Sequence, residues 1–348
     1  MKVKGGTFMK LTPRSLQAFA FLILFSFSWV VLGPAQARAQ SCETSDDMDG
    51  ATRTAITNAG QRYFEMAAKG DSASLQQNAI PSLASNFSEI QTTIKDRQAD
   101  LAGAQPNVKS VFLLDASGPE PIPHAEFLCG VFGKNGQTAN SAAFYLNDLP
   151  PAKYAAILID AASAQGTTMF TEILQQVGTD WKLGGLYVKA AQIAGHNSQW
   201  FLDRAREYKA DDQMHNAWFY YEEARSLISP LKFMSTLATD NLYDESNKVR
   251  PADLPGGGKT ADLVAGTTTY KLMQVFPQAV GNDLDLFVKY QVADASNTNQ
   301  AYADNMAVIK ALVEKYPELR NAFASVEVLA VDPSGRDYGT LMAMKDIK

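Results

Sequence analysis

Two carboxylates in this chain stand where their neighbours would keep water away. Asp160 ends the apolar run Ala155-Ala156-Ile157-Leu158-Ile159, and Glu172 lies between Phe170 and Leu174 at strand spacing. A carboxyl in such surroundings holds its proton to higher pH and can serve as general acid or base. The competing reading puts both at strand ends or on a solvated face, and alternation alone does not decide between them. No Ser–His–Asp, Cys–His or paired-carboxylate set is close in sequence. The three histidines, His124, His196 and His215, show no metal-ligand spacing, so neither a metal site nor a cofactor is expected. Leu254-Pro255-Gly256-Gly257-Gly258-Lys259-Thr260 ends like a phosphate-binding loop. It fails because the position that must be glycine is Asp253 and no strand precedes it, so it reads as a flexible connection.

The only two cysteines are Cys42 and Cys129. What they do depends on compartment, and the first forty residues speak to that. Lys2, Lys4, Lys10 and Arg14 precede an apolar stretch at 18–32, and Ala37-Arg38-Ala39 places small residues around a cleavage point. This is the layout of a secretory signal peptide over 1–39, with a mature chain from Gln40. The apolar stretch is short for a membrane span, which takes roughly 20 residues, so no transmembrane helix is expected after signal removal. The expected location is periplasmic or secreted. In an oxidising compartment the pair reads first as one disulfide, Cys42 to Cys129, with two free thiols as the alternative. Gln40 and the missing leucine argue against lipid attachment at Cys42. The leader carries five basic residues and no acidic one, so its loss takes the formal charge from −6 to −11. So acidic a chain repels phosphate backbones, and nucleic acid is not an expected partner.

Apolar periodicity then gives the elements. Ile56, Ala59, Tyr63, Phe64 and Ala67 predict a helix over 45–69, stopped at Gly70, with Asp71 or Ser72 capping a short second helix. Leu83, Phe87, Ile90, Ile94 and Leu101 predict a third over 83–101. Strand-like runs follow at 108–115, 125–132, 141–146, 153–163, 167–177 and 181–189. Helices first and an antiparallel meander after them is an α+β layout, with the helices on one face of a curved sheet.

The helix, the Lys69-Gly70-Asp71 turn, the second helix and strands ending in Gly178-Thr179-Asp180-Trp181-Lys182-Leu183-Gly184-Gly185-Leu186-Tyr187-Val188 resemble the nuclear transport factor 2-like superfamily over about 45–195. The resemblance implies a cone-shaped domain over 40–195 whose final hairpin closes the sheet over the first helix. It also implies a cavity, for which His124, Glu126, Tyr145, Asp160 and Glu172 are the candidate lining residues, and an open sheet face through which two copies could pair.

Phe201, Ala205, Tyr208, Ala217, Tyr221 and Ala224 fall on the spacing of one tetratricopeptide-like helical hairpin, within a segment 196–248. Only one such unit is present, and Arg204 stands where leucine is usual, so a stacked peptide groove is not expected. The run at 218–221 and Trp200-Phe201 read as core before binding surface. A Pro- and Gly-rich linker is expected at 249–266. A small ββαββ domain over 267–348 follows, with strands at 270–280, 284–292, 326–331 and 338–344 and a helix at 301–316.

The leading reading is an exported cell-envelope protein that binds without catalysis, with an envelope protein or a small apolar ligand as partner. One alternative is a pocket enzyme (hydrolase, isomerase or dehydratase) acting through Asp160 or Glu172. Another is an assembly scaffold that docks through the aromatic hairpin.

Overall fold

The computed structural model describes residues 40–132 and 136–348, so the predicted leader lies outside the described residues. The fold is α+β. β1 (Ser41–Thr44) leads into α1 (Gly50–Ala68), where the Asp49 side chain accepts from the Ala51 and Thr52 N–H groups and caps the helix. The helix begins five residues later than periodicity suggested because β1 and the turn at Asp47 take up the chain before it. It ends at Gly70, with φ at 69°. There the Asp71 N–H reaches Met66 O and the Gly70 N–H reaches Ala67 O, a left-handed cap that favours glycine. Asp71 then caps α2 (Ser72–Gln77) through the Ser74 N–H. The single helix expected over 83–101 is three pieces: α3 (Pro81–Ala84), α4 (Ser88–Asp96) and α5 (Gln98–Leu101).

Then come β2 (Gln105–Asp115), β3 (Ile122–Cys129), β4 (Ala142–Leu149), β5 (Lys153–Ser163), β6 (Gly166–Val177) and β7 (Asp180–Ala190). They do not form one meander. Five strands pair antiparallel in the order β1-β2-β5-β6-β7, while β3 and β4 leave to join β10 (Met234–Thr236) in a separate three-stranded sheet. Alternation tells which way side chains point but not which strand is the neighbour. The larger sheet is covered on both faces. Ile157, Phe170, Leu174 and Leu183 pack under α1 with Ile56, Tyr63 and Phe64. On the other side Phe112, Leu114, Tyr154 and Ala156 meet Phe127, Phe144, Leu231 and Met234 of the smaller sheet and its approach. The open face expected to pair with a second copy is thus filled by the chain itself.

Two local devices shape this layer. Gly184 is the extra residue of a bulge where the β6–β7 register slips between Ile173 and Leu174, which bends the final hairpin. Gly60 in α1 lets the helix backbone approach the sheet. A Cβ there would sit 2.6 Å from Ile157 Cδ1 and 2.9 Å from Glu172 Oε2, both in the closed core. Gly60→Ala is therefore expected to destabilise by about 1–2 kcal/mol, the clash outweighing the gain in helix propensity. Urea unfolding would show it, and a stabilised variant would mean that the helix can lift off the sheet.

The chain continues through β8 (Gln192–Ile193), β9 (His196–Asn197), α6 (Ser198–Ala210), α7 (Met214–Ile228), β10 and α8 (Leu237–Asn247). The last part contains β11 (Ala261–Ala265), β12 (Thr268–Val280), β13 (Asp283–Gln291), α9 (Thr298–Lys315), β14 (Ser325–Val331) and β15 (Asp337–Ala343). These five strands pair in sequence order, antiparallel except for β13 and β14, whose connection runs through α9. The expected linker is in part structural, since its 261–265 stretch is the first strand of this sheet. Nor is the helical hairpin a separate appendage. Phe201, Tyr208, Phe219 and Tyr221 share one core with Leu286, Val288, Leu312 and Phe323. Among the described residues no helix is long and apolar enough to cross a membrane.

Candidate functional site

The five residues expected around one cavity are dispersed. His124, Glu126 and Tyr145 lie on the outer face of the three-stranded sheet. His124 Nδ1 is 2.9 Å from Asn147 Oδ1, Glu126 pairs in register with Tyr145, and Tyr145 is 51% exposed. Their strand neighbours Ala125, Phe127 and Phe144 take the inward positions, which forces these three outward. Asp160 is half-buried in an ion pair with Lys109 at 3.4 Å, on the sheet face opposite Glu172. Only Glu172 is enclosed. It is 0% exposed and neither carboxylate oxygen has a hydrogen-bond partner. Burial pushes its pKa well up, against the weaker pull of Arg62. It lines none of the hollows described below, so the acid is present without an approach for substrate.

A more complete arrangement lies at the seam between the helical hairpin and the C-terminal sheet. It starts at the tight turn joining β8 and β9, where Ala194 and Gly195 both have positive φ, 46° and 76°. That is the backbone of a two-residue hairpin, and for alanine it costs about 1 kcal/mol. The turn brings His196 beneath Trp200, with ring centroids 3.6 Å apart and planes 8° from parallel. Asn197 caps α6 by accepting from the Trp200 N–H at 3.0 Å, and the Ser198 hydroxyl donates to Ala224 O at 2.8 Å. The indole is therefore held by a stack, a cap and the helix itself, yet Trp200 stays 37% exposed. Its neighbours Phe201, Trp218, Phe219, Tyr220 and Tyr221 are buried, as expected of core.

Polar bonds lock the opposite wall in place. The Tyr208 hydroxyl donates to Asn321 O and the Tyr220 hydroxyl to Ala322 O, at 2.8 and 2.9 Å. Burial raises the Tyr220 pKa, which keeps that hydroxyl a donor. His215 bridges Glu318 at 2.8 Å and Asp253 at 3.0 Å, and the Tyr316 hydroxyl donates to the other Asp253 oxygen at 2.8 Å. Burial works against ionisation of Asp253, but the bonds from Tyr316 and His215 outweigh it and hold its pKa below the ordinary value. The glycine-rich segment ending at Thr260 borders a hollow of about 460 Å³ with Asp253 and Arg250. Asp253, just before that segment, fastens the seam through His215 and Tyr316.

Three hollows adjoin in series, the first two at the seam and the third over the C-terminal sheet. One of about 300 Å³ is lined by Trp200, Asp203, Arg204, Glu207 and Tyr220. The next, about 250 Å³, shares Trp200, Tyr220 and Asn321 with it and adds His196, Asn282 and Asp283. The third, about 620 Å³, shares Asp283 and Ala324 with the second and is lined by Asp285, Arg320, Ser325 and Lys345. Two of its groups have no partner within the chain. Asp285 is 5% exposed and makes no hydrogen bond or ion pair, and the buried Ser325 Oγ is likewise unpartnered. They are side by side on neighbouring strands, one step before the Leu286–Val326 pair. Glu327 follows on the same face, its pKa raised by burial and then by Asp285. Arg320 donates to Met344 O and Ile347 O at 3.0 Å each, so its charge meets no carboxylate.

Alternation along β13 puts Asp283 and Asp285 on the face opposite Leu284, Leu286 and Val288. It missed that the 320–345 segments wall that face in. Strand parity carries no signal for that enclosure. Among the described residues no group of three His, Cys, Asp or Glu is placed to hold a metal ion. In comparisons with known proteins, the chain matches no family model, no curated protein and no solved structure.

Proposed function

We propose that this chain is an exported cell-envelope protein that recognises a ligand rather than transforming it, and that the ligand lies in the groove along the hairpin seam. One observation carries the reading: Asp285 and the buried Ser325 hydroxyl make no bond within the chain, and the hollow they line shares Asp283 and Ala324 with the one that Trp200 borders. Buried polar groups are normally satisfied, so these two take their partners from outside the polypeptide. Export is supported by the leader-like first 39 residues and by a disulfide, a bond that persists in oxidising compartments.

In this reading the front part is a conical domain of the nuclear transport factor 2-like type. Supporting it are the first helix laid over an antiparallel sheet and the bulged final hairpin beneath it. A tetratricopeptide-like hairpin then serves as one wall of the groove rather than as a repeat in an array. The enzyme alternative retains Glu172 as an enclosed acid whose pKa burial raises, set apart from the hollows described above. A docking scaffold would have to rely on Trp200 alone, because Trp218 is buried under Arg250, 5.3 Å from its ring.

Native mass spectrometry of protein purified from its own envelope fraction tests the proposal. A retained small molecule is expected on the wild-type chain and its loss is expected on Trp200→Ala. An adduct that persists in the variant, or none on the wild type, would remove the groove as the binding site.

A further inference from the structure

We infer that the ligand of this groove is an uncharged oligosaccharide, with one sugar ring laid on Trp200 and hydroxyls of another unit of the same chain bonded to Asp285 and Ser325. The inference rests on the groove being the binding site. It adds the chemical class, which the lining selects in three steps.

The first is the aromatic platform. The apolar C–H face of a pyranose packs flat on an indole. Trp200 is braced from one side by His196 at 3.6 Å and lines two adjoining hollows, so a chain of rings can pass along it. Such bracing lowers the ordering cost of binding.

The second is the kind of hydrogen bond left open. Backbone groups on the floor are already paired: the Ala324 N–H donates to Leu284 O at 2.9 Å and the Met344 N–H to Ala324 O at 2.8 Å. What remain are side chains. Asp285 only accepts when ionised, the Ser325 hydroxyl accepts and donates, and Asn282 and Asn321 offer amides. Vicinal hydroxyls, which both donate and accept, match this set, whereas a wholly apolar ligand would leave it unsatisfied.

The third is charge. Four carboxylates (Asp203, Glu207, Asp283, Asp285) line the three hollows against three cations. Arg204 is engaged with Glu207 at 2.5 Å. The lining is therefore close to balanced, so neither uronates and phosphorylated glycans nor cations are drawn to it strongly.

Calorimetric titration of the mature chain tests this with uncharged hexasaccharides of glucose, galactose, mannose and N-acetylglucosamine. A galacturonate hexamer and an uncharged hexapeptide serve as contrasts. At least one uncharged hexasaccharide is expected to bind. Trp200→Ala and Asp285→Ala should each weaken it about tenfold or more, and Trp200→Phe, which keeps a ring, should lose less. Unfolding curves of each variant separate loss of binding from loss of fold. Titration by the galacturonate or the peptide alone overturns the sugar class. So does silence across the uncharged panel: if native mass spectrometry then still shows a Trp200-dependent adduct, only the sugar class fails. If no such adduct is found either, the groove reading falls as well.

Discussion

Replacing both cysteines with alanine is expected to lower the unfolding free energy by about 3–5 kcal/mol. Cys42 in β1 and Cys129 at the end of β3 are bonded, with Cα atoms 4.8 Å apart and 87 residues of sequence separation. Closing a loop of that length removes roughly 4–5 kcal/mol of chain entropy from the unfolded state. The bond also has a local role. β1 belongs to the five-stranded sheet and β3 to the smaller one, so the bridge pins the edge of one sheet to the other. β1 has only four residues and depends on that anchor. Urea denaturation of Cys42→Ala/Cys129→Ala, and of the wild type with reductant, should shift the midpoint by similar amounts. A shift of under about 1 kcal/mol in both would mean that the 43–128 loop stays restrained without the bond.

A second large effect is expected in the opposite direction. Glu172→Leu should raise stability by about 1–3 kcal/mol at neutral pH, because it removes a buried carboxyl without a partner from an apolar layer. The pH dependence is the sharper test. Burial raises the native pKa of Glu172 above its unfolded value. The folded state therefore keeps a proton that the unfolded state releases. The stability this proton confers is fully present below the ordinary carboxylate pKa and is lost as pH rises through the raised native value. The advantage of Glu172→Leu over wild type should accordingly widen from about pH 4.5 upward. Equal pH slopes for the two proteins would show that the carboxyl has found a partner or ionises freely, and the buried-acid assignment would fail. A functional role for this acid would show as retained fold with lost activity in the same variant.

Local residues were enough to determine much of this protein. Gly70 and Asp71 set the end of the first helix and the start of the second because capping is a short-range matter of hydrogen bonds and φ angles. The alternation of Leu284, Leu286, Val288 and Tyr290 matches the buried face of β13, and Cys42 with Cys129 announced the disulfide. Gly184-Gly185 marked the bend of the final hairpin. What residue types could not supply was pairing across long separations. Nothing in β3 or β4 says that they desert the five-stranded sheet for Met234–Thr236, some ninety residues further on. Alternation puts Glu172 with Phe170 and Leu174, and Asp285 opposite Leu284 and Leu286, without saying what covers either face. Whether that face is wet or closed depends on α1 in one case and on the Arg320 and Met344 segments in the other. A side chain's direction follows from its own backbone, but its environment follows from whatever distant segment packs against it. The tertiary structure alone therefore set the hollow of Trp200 beside that of Asp285 and Ser325, with Asp283 and Ala324 lining both.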